Sequence, residues 1–404
     1  MGSSTASTAS DRPSEGSESG IDTHSNPVDS KKVESILEAC RWRDIGQLRA
    51  LAESPGGLLS DNLREQAWPV LLGLSPERFE KDQDSSVDWK DLPRHRDEDQ
   101  VQLDVDRAFV YYPQHLTEAD LEKQKEELSS LIIEVLRRYP FLCYFQGYHD
   151  ICQVFLLILP GPLRVPAVAR LSALRIRDFM LPSLAPAVAQ LRLIPDILRA
   201  ADPDLWRHLS DTEPFFALSG TLTMYAHDIT TLGEIARLFD VLLAREPVFG
   251  VYVFARIVMN RRAELFDTPR DEPEMLHSIL SKLPQPLDLD RLVADAAALF
   301  DAHPPESLRA WRTISRASVL KTARSADTCA LQSVEDGRIF FERQVRELRW
   351  LERRDELLNY LWRHRRHMRL LALAMFFGIA AVWIRRTPGL LSYTSLRASL
   401  WWTR

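Results

Sequence analysis

The sequence lacks the motifs that mark the large classes of catalytic proteins. It contains no G-x-x-x-x-G-K-[ST] phosphate-binding loop, no HExxH zinc motif, no G-x-S-x-G nucleophile turn and no protein-kinase motif set. Nothing at the N-terminus resembles a secretory signal, and the cysteines lack the close pairing of a zinc site: Cys40, Cys143, Cys152 and Cys329. We therefore expect reduced thiols, no metal site and no cofactor of its own, with chemistry carried out on a group that a partner supplies.

A strong excess of either charge is also missing. The formal net charge of the 404 residues is −6, which gives no electrostatic support to nucleic-acid binding. Positive charge is concentrated in one region, because Arg338 to Arg404 contains fourteen Arg, no Lys and five acidic residues, a net charge of +9. This asymmetry predicts that the C-terminal region contacts an anionic surface such as a membrane.

Alternating strand patterns with hairpin dipeptides are absent, whereas apolar residues recur at steps of three and four. We therefore predict an all-α fold. Thr117 is a plausible N-cap for a helix that ends before Pro140. The predicted division of the chain is a disordered tail rich in Ser and Thr, a helical domain, a linker without periodicity, a basic amphipathic helix, a membrane anchor and a short tail: 1–32, 33–304, 305–337, 338–369, 370–384 and 385–404.

The anchor is predicted from a fifteen-residue apolar run with arginines on both sides, which includes Leu370, Phe376, Phe377 and Ile384. At 1.5 Å per residue the run spans roughly 22 Å, short of a ~30 Å hydrocarbon core but closer to the thinner endoplasmic reticulum bilayer. A single anchor is our first choice. A buried core helix, or a hairpin or helix lying in the membrane interface, are the alternatives.

Three short motifs occur in order: 63-LREQAWPVLLG-73, 101-VQLDVDR-107 and 144-YFQG-147. Together they resemble the TBC-domain GTPase-activating proteins for Rab GTPases, whose pattern includes Arg-x-x-x-Trp followed by Leu-Leu-Gly, Ile-x-x-Asp-x-x-Arg, and Tyr-x-Gln-Gly. Val101 replaces the usual Ile, and Tyr148 and His149 replace the usual Met-Asn before Asp150. The resemblance covers roughly residues 33–303 and implies the all-α fold of that family.

By this resemblance, Arg107 would be an arginine finger and Gln146 a glutamine finger, both supplied in trans to a GTP-bound Rab. GTP hydrolysis needs positive charge on the transferring phosphoryl group and an oriented water, and the Rab supplies these incompletely. GTP and Mg²⁺ would be carried by the partner. The chain would then act as a GTPase activator rather than as an enzyme with its own nucleotide site.

Five further residues of the motifs would support the two fingers. Asp104 lies one helical turn before Arg107 and would orient it or pair with Arg64. Tyr144 and Gly147 would set the backbone that presents Gln146. Asp150 matches the family position, and His149 beside it has a structural or partner-contact role. Trp68 is predicted to pack in the core.

The continuation Gly-Tyr-His-Asp at 147–150, combined with the apolar C-terminus, resembles the branch that acts on Rabs of the early secretory pathway. This implies a role in vesicle transport at the endoplasmic reticulum or early Golgi membrane, with the domain facing the cytosol. A non-catalytic Rab-binding scaffold and a membrane-shaping tether are the alternatives. No motif reports which Rab is bound.

Overall fold

The computed structural model describes residues 27–75, 87–114 and 116–386, without the side chains of 27, 28, 366–372, 384 and 385. These residues form helices and connecting turns with no strand, which confirms the predicted all-α class. The first helix begins at Pro27, earlier than the predicted start of structure at residue 33. Most of the predicted N-terminal tail 1–32 and nearly all of the C-terminal tail 385–404 lie outside the described residues.

Twenty α-helices are described, which we number in chain order. They are α1 Pro27–Trp42, α2 Ile45–Glu53, α3 Asp61–Leu71, α4 Glu98–Val105, α5 Glu118–Arg138, α6 Tyr148–Ile158, α7 Gly161–Leu174, α8 Ala185–Leu191, α9 Leu193–Ala201, α10 Pro203–His208, α11 Leu218–Leu222, α12 Leu232–Ala244, α13 Phe249–Asn260, α14 Arg262–Asp267, α15 Pro273–Leu280, α16 Leu289–Ala302, α17 Val319–Thr322, α18 Ala326–Leu331, α19 Val334–Arg363 and α20 Arg365–Arg386. Five short 3-10 helices lie between them: Trp89–Asp91, Arg177–Phe179, Pro214–Ala217, Pro305–Ser307 and Ala310–Thr313.

Local sequence signals set the ends of the helices around the motifs. Thr117 caps α5 as predicted, since its hydroxyl accepts a hydrogen bond from the backbone N–H of Asp120 at 3.2 Å. The helix ends at Arg138, before Pro140, whose ring cannot continue it. The next helix, α6, begins directly after the Tyr-Phe-Gln-Gly motif. The motif therefore lies in the connection between two long helices.

The helices enclose a hydrophobic core that contains a cluster of packed aromatic rings. Trp68 of α3 is completely buried, as predicted, and its ring centroid is 5.5 Å from that of Phe155 and 5.9 Å from that of Phe239. Because Phe155 belongs to α6 and Phe239 to α12, one cluster joins three helices that are distant in sequence. The motif-bearing segments are thus mounted on a rigid base.

Residues 305–337 differ from the predicted linker. They form two 3-10 helices and two short α-helices before α19 begins, and Trp311, Leu320 and Cys329 are buried against the helical body. The guanidinium group of Arg170 in α7 donates to the backbone carbonyls of Cys329 and Gln332 at 3.2 and 2.8 Å. Periodicity is lost in this segment because its helices are too short to show a 3.6-residue pattern, although the segment packs closely.

The predicted basic helix 338–369 spans α19 and the start of α20. The first half of α19 is fixed to the body by a buried network, in which Gln344 accepts from Arg177 at 3.1 Å and donates to Asp178 at 2.8 Å. The second half projects from the body and exposes apolar side chains that include Trp350, Leu357 and Trp362. The helix is therefore a rigidly attached arm with an uncovered apolar stripe.

The predicted anchor 370–384 lies within α20. In the described part of the chain, no helix combines the length and the apolar character needed to cross a membrane. The predicted membrane-spanning segment is therefore not supported, and its fifteen apolar residues are fewer than the ~20 that a spanning helix needs. Phe376 and Phe377 are exposed, while the side chains of Leu370 and Ile384 are not described.

Candidate functional site

Arg107 lies just beyond the C-terminal end of α4. Its guanidinium group donates to the carboxylate of Asp104 through Nη2 at 2.7 Å and to the backbone carbonyl of Leu103 through Nε at 3.2 Å. The side chain is nevertheless 67% exposed. Arg107 is thus held along one edge, while its other edge faces solvent, where a partner can approach.

Asp104 joins the second motif to the third. Its side chain is completely buried and accepts from Gln100 at 3.1 Å and from the hydroxyl of Tyr144 at 2.8 Å, in addition to Arg107. Burial, and then the hydrogen bond to Asp104, raise the pKa of Tyr144, so that its hydroxyl stays a donor. Of the two partners predicted for Asp104, the structure places Arg107 beside it.

Gln146 is presented by a backbone conformation that requires glycine at the next position. Gly147 has φ of +98°, and a Cβ atom built there would lie 2.6 Å from Cγ2 of Thr223. The backbone N–H of Tyr144 is fixed by Asp97 at 2.9 Å. Gln146 itself is exposed. Residues on both sides are therefore anchored while the glutamine side chain points outward from the fold.

The two predicted fingers face one opening. Arg107 and Gln146 both line a cavity of about 220 Å³, together with Tyr111, His149 and His227. Gln146 also lines a neighbouring cleft of about 850 Å³. Residues 39 positions apart are thus brought together, as the motifs predict for a pair that acts on one group.

Asp150 lies between two histidines at the edge of this opening. Its carboxylate is 3.3 Å from Nε2 of His149 and 3.0 Å from Nδ1 of His227. Burial lowers the pKa of His149 despite the nearby carboxylates, whereas the hydrogen bond to Asp150 raises the pKa of His227. His227 was not predicted from the sequence, because its contact with Asp150 joins residues 77 positions apart.

Arg64 does not belong to this opening, which corrects its predicted supporting role. The guanidinium group is buried and donates to Asp240 through Nε at 3.0 Å and Nη2 at 3.1 Å. The indole N–H of Trp68 and the backbone N–H of Leu58 also donate to Asp240, at 2.8 and 3.0 Å. Burial lowers the pKa of Arg64, but Asp240 and then Asp61, which accepts from Nη1 at 2.7 Å, outweigh this effect and raise the pKa. The pair therefore has a structural role in the core.

Asp240 was also missed by sequence analysis, although a signal was present. It lies in the middle of α12, whose residues are otherwise mostly apolar and buried. A buried carboxylate needs a cationic or hydrogen-bonding partner.

Among the described residues, no cluster of His, Cys, Asp and Glu could hold a metal ion.

The chain is similar in sequence to known proteins of one family. Residues 61–266 match the model of the Rab-GTPase-TBC domain family. The GTPase-activating protein gyp10 of Schizosaccharomyces pombe is 34% identical over 310 residues, which cover 76% of this chain and 81% of that protein. TBC1 domain family member 20 of Mus musculus is 36% identical over 282 residues, which cover 69% of each protein.

A solved structure supports the same fold. The crystal structure of the Ypt/Rab-GAP domain of Gyp1p superposes with a TM-score of 0.52 and covers 65% of this chain and 98% of that domain. Its sequence identity is 16%, so this likeness concerns the fold alone. From the family match, the two relatives and the arrangement of the three motifs, we conclude that this chain belongs to the Rab-GTPase-TBC domain family.

Proposed function

We propose that this protein stimulates GTP hydrolysis by a Rab GTPase and that Arg107 and Gln146 are the catalytic residues it supplies in trans. The observation that carries the proposal is that both side chains are exposed and line one cavity, although they come from different helical connections. The chain needs no nucleotide site, because the partner brings GTP and Mg²⁺. Membership of the family and the names of the two relatives support this activity.

Arg107 acts as the arginine finger. A loose phosphoryl-transfer transition state spreads negative charge over the phosphoryl oxygens, and a guanidinium group placed against them stabilises this charge. Nη1 of Arg107 has no partner within the described ranges, so this nitrogen is available to a phosphoryl oxygen. The hydrogen bond to Asp104 restricts the rotamers of the side chain before the partner binds.

Gln146 acts as the residue that orients the attacking water. A side-chain amide can donate to one group and accept from another, which suits a water that must be aligned and deprotonated. The fixed backbone at Gly147 limits the positions that the amide can reach. A Rab whose own switch glutamine is replaced should therefore remain substantially stimulated.

The surface around the opening suits a protein partner. Exposed apolar side chains lie beside it, with Val110 and Tyr111 on the smaller cavity and Leu184 on the larger cleft. Exposed apolar side chains beside polar groups are typical of protein interfaces. We assign this face to the GTP-bound Rab.

The partner Rab is proposed to act in the early secretory pathway, and the protein to work at the endoplasmic reticulum or early Golgi membrane with its domain facing the cytosol. The support is the sequence resemblance of residues 147–150 to that branch of the family. Membrane contact is assigned to α20, which exposes Phe376, Phe377 and Ile379 and carries arginines near both ends. Flotation with anionic liposomes tests this contact, and loss of flotation on removal of α20 is the expected result.

The activity is tested by single-turnover GTP hydrolysis on a panel of GTP-loaded Rabs. The full chain should accelerate hydrolysis on at least one of them. Arg107→Ala should lower the stimulated rate about 10³- to 10⁵-fold in a protein that remains folded, with only about 1–2 kcal/mol of stability lost because Asp104 loses one donor. Binding to a GTP-loaded Rab without stimulation would instead identify the protein as a scaffold. Stimulation by Arg107→Ala equal to that of the wild type would exclude the arginine-finger mechanism.

A further inference from the structure

His227 lies at the opening beside Arg107 and Gln146. It lines both the cavity shared by Arg107 and Gln146 and the larger cleft next to it. Its side chain is 61% exposed, while Nδ1 is 3.0 Å from the carboxylate of Asp150. One ring nitrogen is therefore fixed to the protein, and the opposite edge of the ring faces solvent.

The turn that carries His227 is held in an unusual backbone conformation. Met224 and Tyr225 have φ of +50° and +69°, a left-handed region that side chains other than glycine seldom adopt. Such conformations persist when the surrounding structure determines them. Here Tyr225 donates to the carbonyl of Gly250 at 2.6 Å, and Tyr112 donates to the carbonyl of Ala226 at 3.2 Å.

The same turn is fixed to the glutamine motif. Thr223 packs so closely against Gly147 that a Cβ there would lie 2.6 Å from it, and the hydroxyl of Thr223 accepts from the backbone N–H of His227 at 3.4 Å. Gln146 and His227 therefore lie on two segments that pack against each other. The geometry places the imidazole at a set position relative to both fingers.

The charged neighbours of His227 favour its protonated form. Asp150 contacts its ring, and Asp228 follows it in the chain. His149 lies on the far side of Asp150, and Asp104 and Arg107 lie beyond His149. The hydrogen bond to Asp150 raises the pKa of His227, although partial burial opposes this.

Among the described residues, Nε2 of His227 meets no hydrogen-bond acceptor. Resting on the proposed function, we propose that His227 is a third partner-facing residue, whose Nε2–H donates to an anionic oxygen of the GTP-bound Rab. The oxygen belongs either to a carboxylate of the Rab surface or to the nucleotide phosphates. In both cases the contact is made by a cation that Asp150 holds in place, next to but separate from Arg107.

The contact has a pH dependence with a defined sign. Because the pKa of His227 is raised, the imidazolium is present below the ordinary imidazole range and persists somewhat above it. Its contribution is fully present at low pH and is lost as the pH rises through the raised pKa. A residue that served only to fix the turn through Nδ1 would lower the melting temperature of the variant over the same pH range, so the melting temperature is measured beside the stimulation.

The test compares the wild type with His227→Asn. An asparagine amide can replace Nδ1 as the donor to Asp150, but it removes both the titrating charge and the Nε2 position. We would measure kcat/KM for stimulation of one GTP-loaded Rab from about pH 6 to about pH 8.5, which brackets the imidazole range. The Rab and GTP titrate in the same way in the assay of the wild type and in that of His227→Asn. Their contribution therefore cancels in the ratio of the two kcat/KM values.

The expected ratio of wild type to His227→Asn is on the order of tenfold at the acidic end, as for a hydrogen bond to a charged group, and it falls towards one at the alkaline end. A change mainly in KM assigns the oxygen to a Rab carboxylate, and a change mainly in kcat assigns it to a phosphate. His277→Asn, on α15 and outside both cavities, is the matched control and should follow the wild type.

A ratio that stays near one, or that is independent of pH, overturns the role of His227. Arg107→Ala in the same assay separates this outcome from failure of the proposed function. If Arg107→Ala abolishes stimulation and His227→Asn changes nothing, only the inference on His227 is wrong. If the wild type stimulates no GTP-loaded Rab, both are wrong.

Discussion

Two arginines of the recognised motifs are each paired with an aspartate, and the two pairs differ in almost every physical respect. Arg64 and Asp240 are buried, and the carboxylate accepts from two guanidinium nitrogens, an indole N–H and a backbone N–H. In the pair of Arg107 and Asp104 only the carboxylate is buried, and the arginine touches it through a single nitrogen. The guanidinium group of Arg64 is buried, whereas that of Arg107 is exposed to solvent.

This difference separates a structural role from a catalytic one. A charge that is fully hydrogen-bonded inside the protein cannot reach a phosphoryl oxygen without breaking the core. An exposed charge anchored at one edge keeps donors for a partner and loses little rotamer freedom when the partner binds. Residue type alone does not distinguish the pairs, because both arginines are motif residues with an aspartate as partner.

The largest expected effect on stability is at the enclosed pair. Asp240→Asn removes the buried carboxylate and leaves Arg64 with the half-exposed Asp61, at 2.7 Å, as its remaining anionic partner, and it should destabilise the protein by about 3 kcal/mol. Chemical denaturation followed by circular dichroism measures this change. The stimulation per folded molecule should remain near that of the wild type. A fully stable variant with lost stimulation would show that the pair serves the site rather than the core.

Gln146→Ala tests the exposed side of the comparison. Removal of one positioned polar group from a catalytic centre costs about 10²–10³ in rate, and we expect a loss of this size with no change in stability. The double variant with Arg107→Ala should be little worse than the poorer single variant, because groups that act as a unit are not additive. Single-turnover hydrolysis measures both. Additive losses would argue against a joint action of the two side chains.

Gly147→Ala should reduce both stability and activity by smaller amounts. The new Cβ atom lies too close to Cγ2 of Thr223, and the alanine backbone must adopt φ near +98°. Together these effects should lower the free energy of unfolding by about 1–3 kcal/mol. Thr223→Ser removes the clashing methyl group, so the paired variant should recover part of the loss in melting temperature. No recovery would mean that backbone strain, rather than the contact with Thr223, explains the requirement for glycine.

Tyr144→Phe should have the smallest effect. It removes one donor to the buried carboxylate of Asp104 and should cost about 1 kcal/mol, with a several-fold loss of stimulation because Arg107 is held less firmly. Tyr148→Phe is the matched control, since that buried hydroxyl contacts Ser172 instead. A similar loss of stability with normal stimulation is expected for the control. Equal activity in both variants would contradict the positioning role of Tyr144.

The sequence predicted those features that depend on nearby residues. The cap at Thr117, the stop before Pro140 and the burial of Trp68 follow from local chemistry and apolar pattern, and each is found in the structure. Family motifs indicated Arg107 and Gln146, which the fold brings to one cavity.

Features that depend on contacts between distant residues could not be predicted. The buried partner of Arg64 is Asp240, 176 positions away, and the spacing of the motifs does not predict this contact. His227 reaches Asp150 through a turn whose left-handed residues are not glycine, so the usual sequence signal for that conformation is missing. Residues 305–337 pack through short helices that show no 3.6-residue period, and their sequence therefore predicts a linker.

The most direct test of the contrast between the two arginines is the same conservative change at both. Lysine keeps the charge but places one nitrogen where arginine has three. We would measure the melting temperature and the single-turnover stimulation of a GTP-loaded Rab for Arg107→Lys and Arg64→Lys. Arg107→Lys should keep the wild-type melting temperature, and its stimulation should be lower by a factor of about 10³ or more. Arg64→Lys should lose about 1–3 kcal/mol of stability and keep the wild-type stimulation per folded molecule. A stable Arg107→Lys that stimulates as well as the wild type would contradict the account.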